Sequence, residues 1–306
     1  MKYGGQVSGR EAEIVLEKEG LRLGSRFLDY AELEAFRPVN HRVWLDTLSG
    51  EKIEISMLGF SFDGFCEELA EFFGKRSLDA LFIEEPQLML CEGEYQTPQG
   101  SGRGQIALYE DAVCVLPPDS GAIRVPLCFT RELRLDGYLL TLTQQSGRSV
   151  TVGRMGYDTL PFAERAQSCA DRVKKQRAAA LSKIALREPF THKGLFRTRQ
   201  PEQFWQAAFG KGVCALELFT GEDAATYLYR FSESREQFLL ALEEATEAMG
   251  THREIIYLSD EQLADRPLYR MAVRRCEAVS YLRERSAGRL IHNATHTRRL
   301  RDFLGE

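Results

Sequence analysis

The stretch Val43-Trp-Leu-Asp-Thr-Leu-Ser-Gly-Glu-Lys-Ile-Glu-Ile55 decides the fold of its region, because apolar and polar residues alternate along it. Alternation with a period of two is typical of a strand that buries one face. Ser49-Gly50 interrupts the alternation, and glycine readily adopts the backbone conformation of a tight turn. We therefore predict a hairpin whose strands cover residues 42–46 and 52–57.

The same hairpin recurs 97 residues later. Ser146-Gly147 is its turn, and the flanking alternation predicts strands at 138–143 and 149–153. The offset of 97 holds without a gap between residues 25–70 and 122–167, where seven of the 46 aligned residues are identical. Because identity is this low, the matched pattern of strands and turns is what indicates a repeated unit.

A different offset relates the segments that precede these hairpins. Residues 12–23 and 104–115 each predict two short strands around a turn, at an offset of 92. The change from 92 to 97 falls at Pro117-Pro-Asp-Ser-Gly121. We interpret these five residues as a turn-rich insertion between two strands of the second copy.

Each copy ends in one amphipathic helix, in which apolar residues recur at helical spacing. In the first copy these residues are Phe62, Phe65, Leu69, Phe72 and Phe73. In the second copy they are Leu160, Phe162, Ala166, Cys169, Ala170 and Val173. We expect the apolar stripe of each helix to be buried against the strands of its own copy.

The order of about seven short strands and one helix resembles the pleckstrin-homology-like (PH-like) superfold over roughly residues 1–178. Gly104–Val115 and Tyr269–Arg275 also resemble segments of uncharacterised bacterial proteins, a similarity that implies no activity. The first resemblance implies tandem PH-like barrels, each a bent antiparallel sheet closed by a C-terminal helix. The expected fold class is thus α+β, mostly β. PH-like folds commonly present a groove or an edge strand to peptides.

These patterns divide the chain into four parts. We predict PH-like unit 1 at 1–77, a linker or strand at 78–92, PH-like unit 2 at 93–180 and a C-terminal α+β domain at 190–306. The last part is either a degenerate third copy or a distinct domain. Its predicted elements are a helix at 201–209, opened by Pro201, hairpin strands at 213–219 and 225–231, a helix at 234–249, a strand at 253–258 and a further candidate strand at 269–273.

Composition narrows the classes of function. The chain has 306 residues and a formal net charge of −5, which argues against a general nucleic-acid-binding surface. We find no apolar run that suits a signal peptide or a membrane span. The seven cysteines have no Cys-x-x-Cys spacing, and most lie among apolar neighbours, as reduced core residues do. These features favour a cytoplasmic location.

Few side chains are arranged for catalysis. Gly100-Ser-Gly-Arg-Gly104 lacks the Lys-Ser/Thr of a phosphate-binding loop, so we interpret it as a flexible loop between strands. His292 and His296 share a helical face, but a zinc site needs more ligands than these two, which favours a solvated pair. We therefore favour a protein without catalytic activity, and we predict no catalytic, cofactor-binding or metal-binding residue.

The charge of the C-terminal segment is unusual, because ten arginines and two acidic residues lie between Arg266 and Arg301. Guanidinium groups bind carboxylates and phosphates bidentately. The candidate contacts to an anionic partner are Arg274, Arg275, Arg298 and Arg299. In the alternative interpretation these arginines pair within the chain, for which residues 1–76 offer 14 acidic against ten basic side chains.

Two functions follow from these observations. The first is a non-catalytic protein-interaction or scaffold protein, whose partner is a protein or a peptide. The second is a module that binds an anionic lipid or a phosphate ligand through the arginine-rich segment. Neither β unit has a lysine-rich loop, and the net charge is negative, so we favour the first function. Nucleic acid is not expected as a partner.

Overall fold

The computed structural model describes residues 1–83, 85–181 and 258–291, with shorter stretches at 193–194, 203–210, 212–220 and 223–230 and the single residues Ser234 and Ile255. The fold is mostly β, with two curled antiparallel sheets and a few helices. None of the helices in these ranges is long and apolar enough to cross a membrane.

The first sheet has seven strands. They are β1 Lys2–Val7, β2 Arg10–Leu16, β3 Gly20–Leu23, β4 Arg26–Asp29, β5 Leu33–Val39, β6 Arg42–Thr47 and β7 Lys52–Ser56. Their order across the sheet is β4-β3-β2-β1-β7-β6-β5, and all neighbours are antiparallel. The first strand therefore joins the two halves of the sheet, because it pairs with both β2 and β7.

The second sheet also has seven strands. They are β8 Gln87–Thr97, β9 Gly100–Tyr109, β10 Ala112–Leu116, β11 Ile123–Pro126, β12 Thr130–Asp136, β13 Leu139–Gln144 and β14 Ser149–Gly153. Their order is β11-β10-β9-β8-β14-β13-β12, which matches the first sheet strand for strand. The sheet begins at Gln87, inside the predicted linker or strand.

The match extends to the register of the predicted hairpins. Leu45 lies opposite Ile53 in the first sheet, and Leu142 lies opposite Val150 in the second. The outer strands β5 and β12 each contain a register shift, between Leu33 and Ala35 and between Thr130 and Glu132. All these positions are related by the offset of 97, so the two sheets share even their irregularities.

A helix follows each sheet: α1 covers Phe62–Asp79 and α2 covers Thr159–Leu181. The side chains of Phe65 and Phe162 are fully buried, at 0% exposure each. Phe65 belongs to the core cluster of the first sheet and Phe162 to that of the second. We call the first sheet with α1 the first unit, and the second sheet with α2 the second unit.

Two glycines, Gly5 and Gly93, lie at equivalent positions, where the first strand of each unit pairs with its last strand. A Cβ atom on Gly5 would lie 2.9 Å from the carbonyl oxygen of Ser56. A Cβ atom on Gly93 would lie 2.6 Å from the carbonyl oxygen of Gly153. Any side chain would thus force the strands apart. These glycines are related by an offset of 88, which differs from both predicted offsets.

The C-terminal part contains a third sheet. Its strands are β15 Lys193–Gly194, β16 Gln203–Gly210, β17 Val213–Thr220, β18 Asp223–Arg230 and β19 Ser286–Ile291, in that order across the sheet. The predicted hairpin of 213–219 and 225–231 is confirmed by β17 and β18. The helix predicted at 201–209 is wrong, because Gln203–Gly210 pairs along its whole length with β17. The helix predicted at 234–249 and the strand predicted at 253–258 lie outside the described residues, apart from Ser234, Ile255 and Leu258.

Three short helices precede β19: α3 Asp260–Ala264, α4 Pro267–Arg275 and α5 Glu277–Arg285. The strand predicted at 269–273 is therefore wrong. Pro267 stands in the first turn of α4, where its fixed φ suits a helix and its missing N–H costs nothing. Ser259 caps α3 with a reciprocal pair of hydrogen bonds to Gln262.

Candidate functional site at the joint between the two units

The five-residue insertion of the second unit covers the outer edge of the first sheet. The backbone N–H of Phe36 in β5 donates to the carbonyl oxygen of Asp119, with an N–O distance of 2.9 Å. Ala35 and Ser120 form an antiparallel bridge beside it. Residues 119 and 120 therefore pair with β5 at a single bridge, a role that the turn-rich composition of the insertion did not predict.

The helix α1 contacts the residue that directly follows the inserted segment. The hydroxyl oxygen of Ser77 accepts a hydrogen bond from the backbone N–H of Ala122 at 3.1 Å, and Ser77 is fully buried. The ring of Phe36 is buried and packs edge-on against Phe73 of α1, with 6.1 Å between ring centroids. Residues 119–122 are thus tied to both β5 and α1.

Two arginines of α4 converge on one carboxylate beside this edge. Arg275 donates through Nη2 to the backbone oxygen of Glu34 at 2.7 Å and to its Oε1 at 2.8 Å. Arg274 donates to Oε2 of Glu34 at 2.8 Å. Only 2% of the Arg275 side chain is exposed, against 54% for Arg274. Burial lowers the pKa of Arg275, and the carboxylate of Glu34 opposes this shift.

A second buried arginine, Arg124 in β11, ties the end of α1 to the second sheet. Its side chain is 1% exposed. It donates to the carbonyl oxygen of Leu81 at 2.8 Å and to Oδ2 of Asp111 at 2.6 Å. Carbonyl groups at a helix C-terminus carry partial negative charge and favour a nearby cation. Cys276 forms a backbone bridge with Arg124 and so covers the edge of β11.

The helices α4 and α5 contact both units. Met271 is fully buried in the core cluster of the first unit. The ring of Tyr281 packs edge-on against Phe129 of the second unit, with centroids 5.1 Å apart, and Glu277 pairs with Arg148 at 3.1 Å. The joint is therefore built from three separated parts of the chain: the end of the first unit, the insertion of the second unit and residues 267–285.

The candidate anion contacts divide into two groups. Arg274 and Arg275 pair with Glu34 inside the chain, as the internal-pairing alternative predicts for acids within residues 1–76. Arg298 and Arg299 lie outside the described residues, and so do His292 and His296. The structure thus brings one pair of arginines to the joint through a contact that spans 241 residues of sequence for Arg275.

The thiols of the described cysteines are not activated for nucleophilic chemistry. Six cysteines have free thiols: Cys66, Cys91, Cys114, Cys128, Cys169 and Cys276. Burial raises the pKa of Cys66 to about 11 and also raises the pKa of Cys91, Cys114, Cys169 and Cys276. These thiols are therefore protonated at neutral pH and poor nucleophiles. In the same part of the chain, no group of three or more His, Cys, Asp or Glu side chains is arranged to hold a metal ion.

The glycine-rich segment 100–104 is not a loop between strands, as predicted, but the first half of β9. It pairs with β8 from Gly93 to Thr97. A Cβ atom on Gly104 would lie 2.6 Å from the carbonyl oxygen of Leu116. Gly104 therefore allows close packing of backbone within the second sheet, because glycine has no side chain.

The matching outer strand of the second unit, β12, differs from β5 in what pairs with it. Among the described residues, no segment pairs with the outer side of β12, which ends the strand order of its sheet. Leu133 takes the position of Phe36 and is partly exposed, whereas Phe36 is buried. Lys174 takes the position of Ser77, and its Nζ donates to the backbone oxygen of Arg131 at 3.3 Å.

No protein-family model matches the chain, and no curated protein matches it significantly.

Proposed function

We propose that this chain is a non-catalytic interaction protein built on two PH-like units, and that its second unit binds an extended segment of a partner protein along β12. One observation carries this proposal. The first unit already holds such a segment on the matching strand, where Phe36 and Ala35 of β5 pair with residues 119 and 120 of the same chain. The fold can therefore accept a strand at this edge.

The PH-like interpretation is supported by the shared strand order and by the helix after each sheet. The stripe of α1 enters the core of its sheet through Phe65, Leu69 and Phe73. The stripe of α2 does so through Phe162, Ala166 and Ala170. Strand addition to a sheet edge is a general mode of peptide recognition, in which backbone hydrogen bonds supply much of the affinity.

The side chains around β12 leave more space than those around β5. Phe36 and Phe73, which pack together in the first unit, are replaced by Leu133 and Ala170. Leu135 on the same strand is 38% exposed. An extended segment on β12 would cover Leu133 and Leu135, which are partly exposed, in addition to pairing with the backbone.

The other candidate functions have less support. The protonated thiols of the described residues favour no nucleophilic chemistry. Arg298 and Arg299 lie outside the described residues, and a phosphate or an anionic lipid bound by Arg274 and Arg275 would have to replace Glu34, to which both are paired. That exchange would expose the buried guanidinium of Arg275 and break the joint between the units.

The proposal is tested by amide hydrogen exchange at β12 of the full chain. Two hexapeptides serve as probes, one alternating valine with glutamine and one alternating valine with glutamate. We expect at least one of them to slow exchange of the Leu133 amide, which matches the amide of Phe36 that donates to Asp119. Unchanged exchange with both peptides at millimolar concentration would overturn the proposal.

A proline variant distinguishes backbone pairing from side-chain contact. Pro38 in β5 shows that proline is accepted at the position that matches Leu135. In an edge strand proline removes an outward N–H while the pairing on the inner side persists. We expect Leu135→Pro to weaken peptide binding with little change in melting temperature. Leu135→Ala is the control, because it keeps the amide, and equal weakening by both variants would contradict strand addition.

A further inference from the structure

Three positions beside the outer strand of each unit, which we call the rim, carry more positive charge in the second unit than in the first. Glu34 of the first unit becomes Arg131 in the second, and Ser77 becomes Lys174. Leu78 is likewise replaced, by Lys175, so these three positions together are four charges more positive in the second unit. Elsewhere on β12, Arg134 lies 3.5 Å from Asp136, and only Glu132 adds an unpaired negative charge to the strand.

In the first unit the charge at this rim matches what docks there. The carboxylate of Glu34 binds Arg274 and Arg275 of α4, so a negative rim holds a positive segment of the chain. The backbone oxygen of Glu34 also accepts a hydrogen bond from Arg275 at 2.7 Å. In the second unit the matching backbone oxygen, of Arg131, accepts its hydrogen bond from Lys174 at 3.3 Å. A cation thus covers the same carbonyl group in both units.

We infer that the partner segment taken by the second unit is acidic, and that Arg131 and Lys174 are the residues that select it. This inference rests on the proposed function. A segment that adds to β12 as residues 119 and 120 add to β5 would lie beside the ammonium group of Lys174, which covers the carbonyl oxygen of Arg131 as Arg275 covers that of Glu34. A carboxylate on the segment would pair with the cationic groups of Lys174 and Arg131, whereas a neutral side chain makes no ion pair and a cation is repelled.

Lysine at a sheet edge has another known role, which is to protect the edge from pairing with other chains. A purely protective Lys174 predicts that extended peptides of either charge are rejected. A selective Lys174 predicts that the charge of the peptide decides binding. The two roles are therefore separated by the same measurement.

The experiment uses the full chain and three labelled hexapeptides that alternate valine with glutamate, glutamine or lysine, with binding measured by fluorescence anisotropy. We expect the glutamate peptide to bind about threefold to tenfold more tightly than the glutamine peptide, as two partly exposed ion pairs allow. The difference should shrink as salt rises, because exposed charges are screened. The lysine peptide should bind most weakly.

A charge-reversal variant identifies the selecting residues. We expect Arg131→Glu combined with Lys174→Glu to reverse the preference, so that the lysine peptide binds more tightly than the glutamate peptide. Arg103→Glu combined with Arg165→Glu is the matched control, since both residues are exposed, lie outside β12 and the end of α2, and undergo the same charge change. The control should keep the original preference.

The remaining outcomes separate the acidic preference from the proposed function. Equal binding of the glutamate and glutamine peptides, with slowed exchange at Leu133, would overturn the acidic preference and leave the proposed function standing. Rejection of all three peptides would overturn both and leave Lys174 as an edge guard. Equal weakening of the glutamate peptide by the two double variants would also overturn the inference, because it would show attraction to overall charge.

Discussion

The two units share strand order, register and helix position, yet they differ at the outer strand that borders the helix. In the first unit residues 119 and 120 pair with β5, and Glu34 of β5 binds two arginines. In the second unit no described segment pairs with the outer side of β12, and the ammonium group of Lys174 donates to the backbone oxygen of Arg131. Because the cores match while the rims differ, a few side chains at the rim decide whether the edge is closed within the chain or left open.

The other outer strands show the reverse arrangement. In the second unit β11 is bridged by Cys276, and its buried Arg124 contacts the end of α1. In the first unit β4 ends the sheet, and Phe27, at the position of Arg124, is partly exposed. Each unit therefore has one edge that is covered at the joint and one edge that no described segment covers.

The largest expected effect tests whether the two helices play the same part in the two cores. Phe65→Ala and Phe162→Ala should each lower the free energy of unfolding by about 3–5 kcal/mol, since both rings are fully buried. Phe65 also packs edge-on against Tyr3 at 5.1 Å, whereas Cys91 lies at the matching position of the second unit. Its loss should therefore exceed that of Phe162 by roughly 0.5–1.5 kcal/mol.

Urea unfolding of the two variants measures this difference. A loss below about 1 kcal/mol for either variant is what an exposed position would give, and it would contradict the burial of that helix face.

The second prediction compares the matching rim positions Glu34 and Arg131. Glu34→Ala leaves the guanidinium group of Arg275 buried without its carboxylate, a change that costs about 3–5 kcal/mol for fully buried pairs. The loss should lie near the lower end of that range, because 33% of the Glu34 side chain is exposed. Arg131→Ala removes an exposed side chain and should change stability by no more than about 0.5 kcal/mol.

Thermal and urea unfolding of both variants provide the comparison. Equal losses for Glu34→Ala and Arg131→Ala would show that the joint does not depend on the buried ion pair, and the contrast between the two rims would then have no energetic basis.

The smallest expected effect concerns alkaline pH. Burial and the nearby Glu68 raise the pKa of Tyr3 to about 12. The unfolded chain has a tyrosine pKa of about 10, so it releases the proton first as the pH rises. The stability that depends on protonated Tyr3 is thus complete below about pH 10 and is lost between about pH 10 and 12.

Tyr3→Phe tests this assignment, because it removes the titrating group and keeps the ring. The unfolding free energy of the variant should fall less steeply between pH 10 and 12 than that of the native chain. Some fall should remain, since burial also raises the pKa of Tyr30. An identical pH profile would show that the phenol of Tyr3 does not contribute to this dependence.

The sequence predicted those parts of the fold whose signals are local. The hairpins around Ser49-Gly50 and Ser146-Gly147 were recognisable because alternation and turn residues lie within a few positions of each other. The helix at 201–209 was predicted wrongly for a related reason. A short apolar segment can form either a helix or a strand. Here pairing with β17 stabilises the strand.

Of the candidate site, the sequence indicated the insertion and the arginine-rich segment but not their contacts. Nothing around Arg274 and Arg275 distinguishes them from other surface arginines, and the acid that holds them lies far away in β5. The contacts of Ser77 and Lys174 were also not predicted. Each residue has the sequence pattern of any exposed position in a helix, and only the neighbouring backbone shows which group it contacts.

The sequence by itself determined the alternation, the turns, the helical stripes and the length of the insertion, because each of these is encoded by neighbouring residues. Only the tertiary structure decided that the insertion closes β5, that Arg124 and Arg275 are buried and that β12 has no described partner. The reason is that burial and edge pairing are properties of surfaces brought together from distant parts of the chain, and no local pattern specifies which surface a side chain will meet.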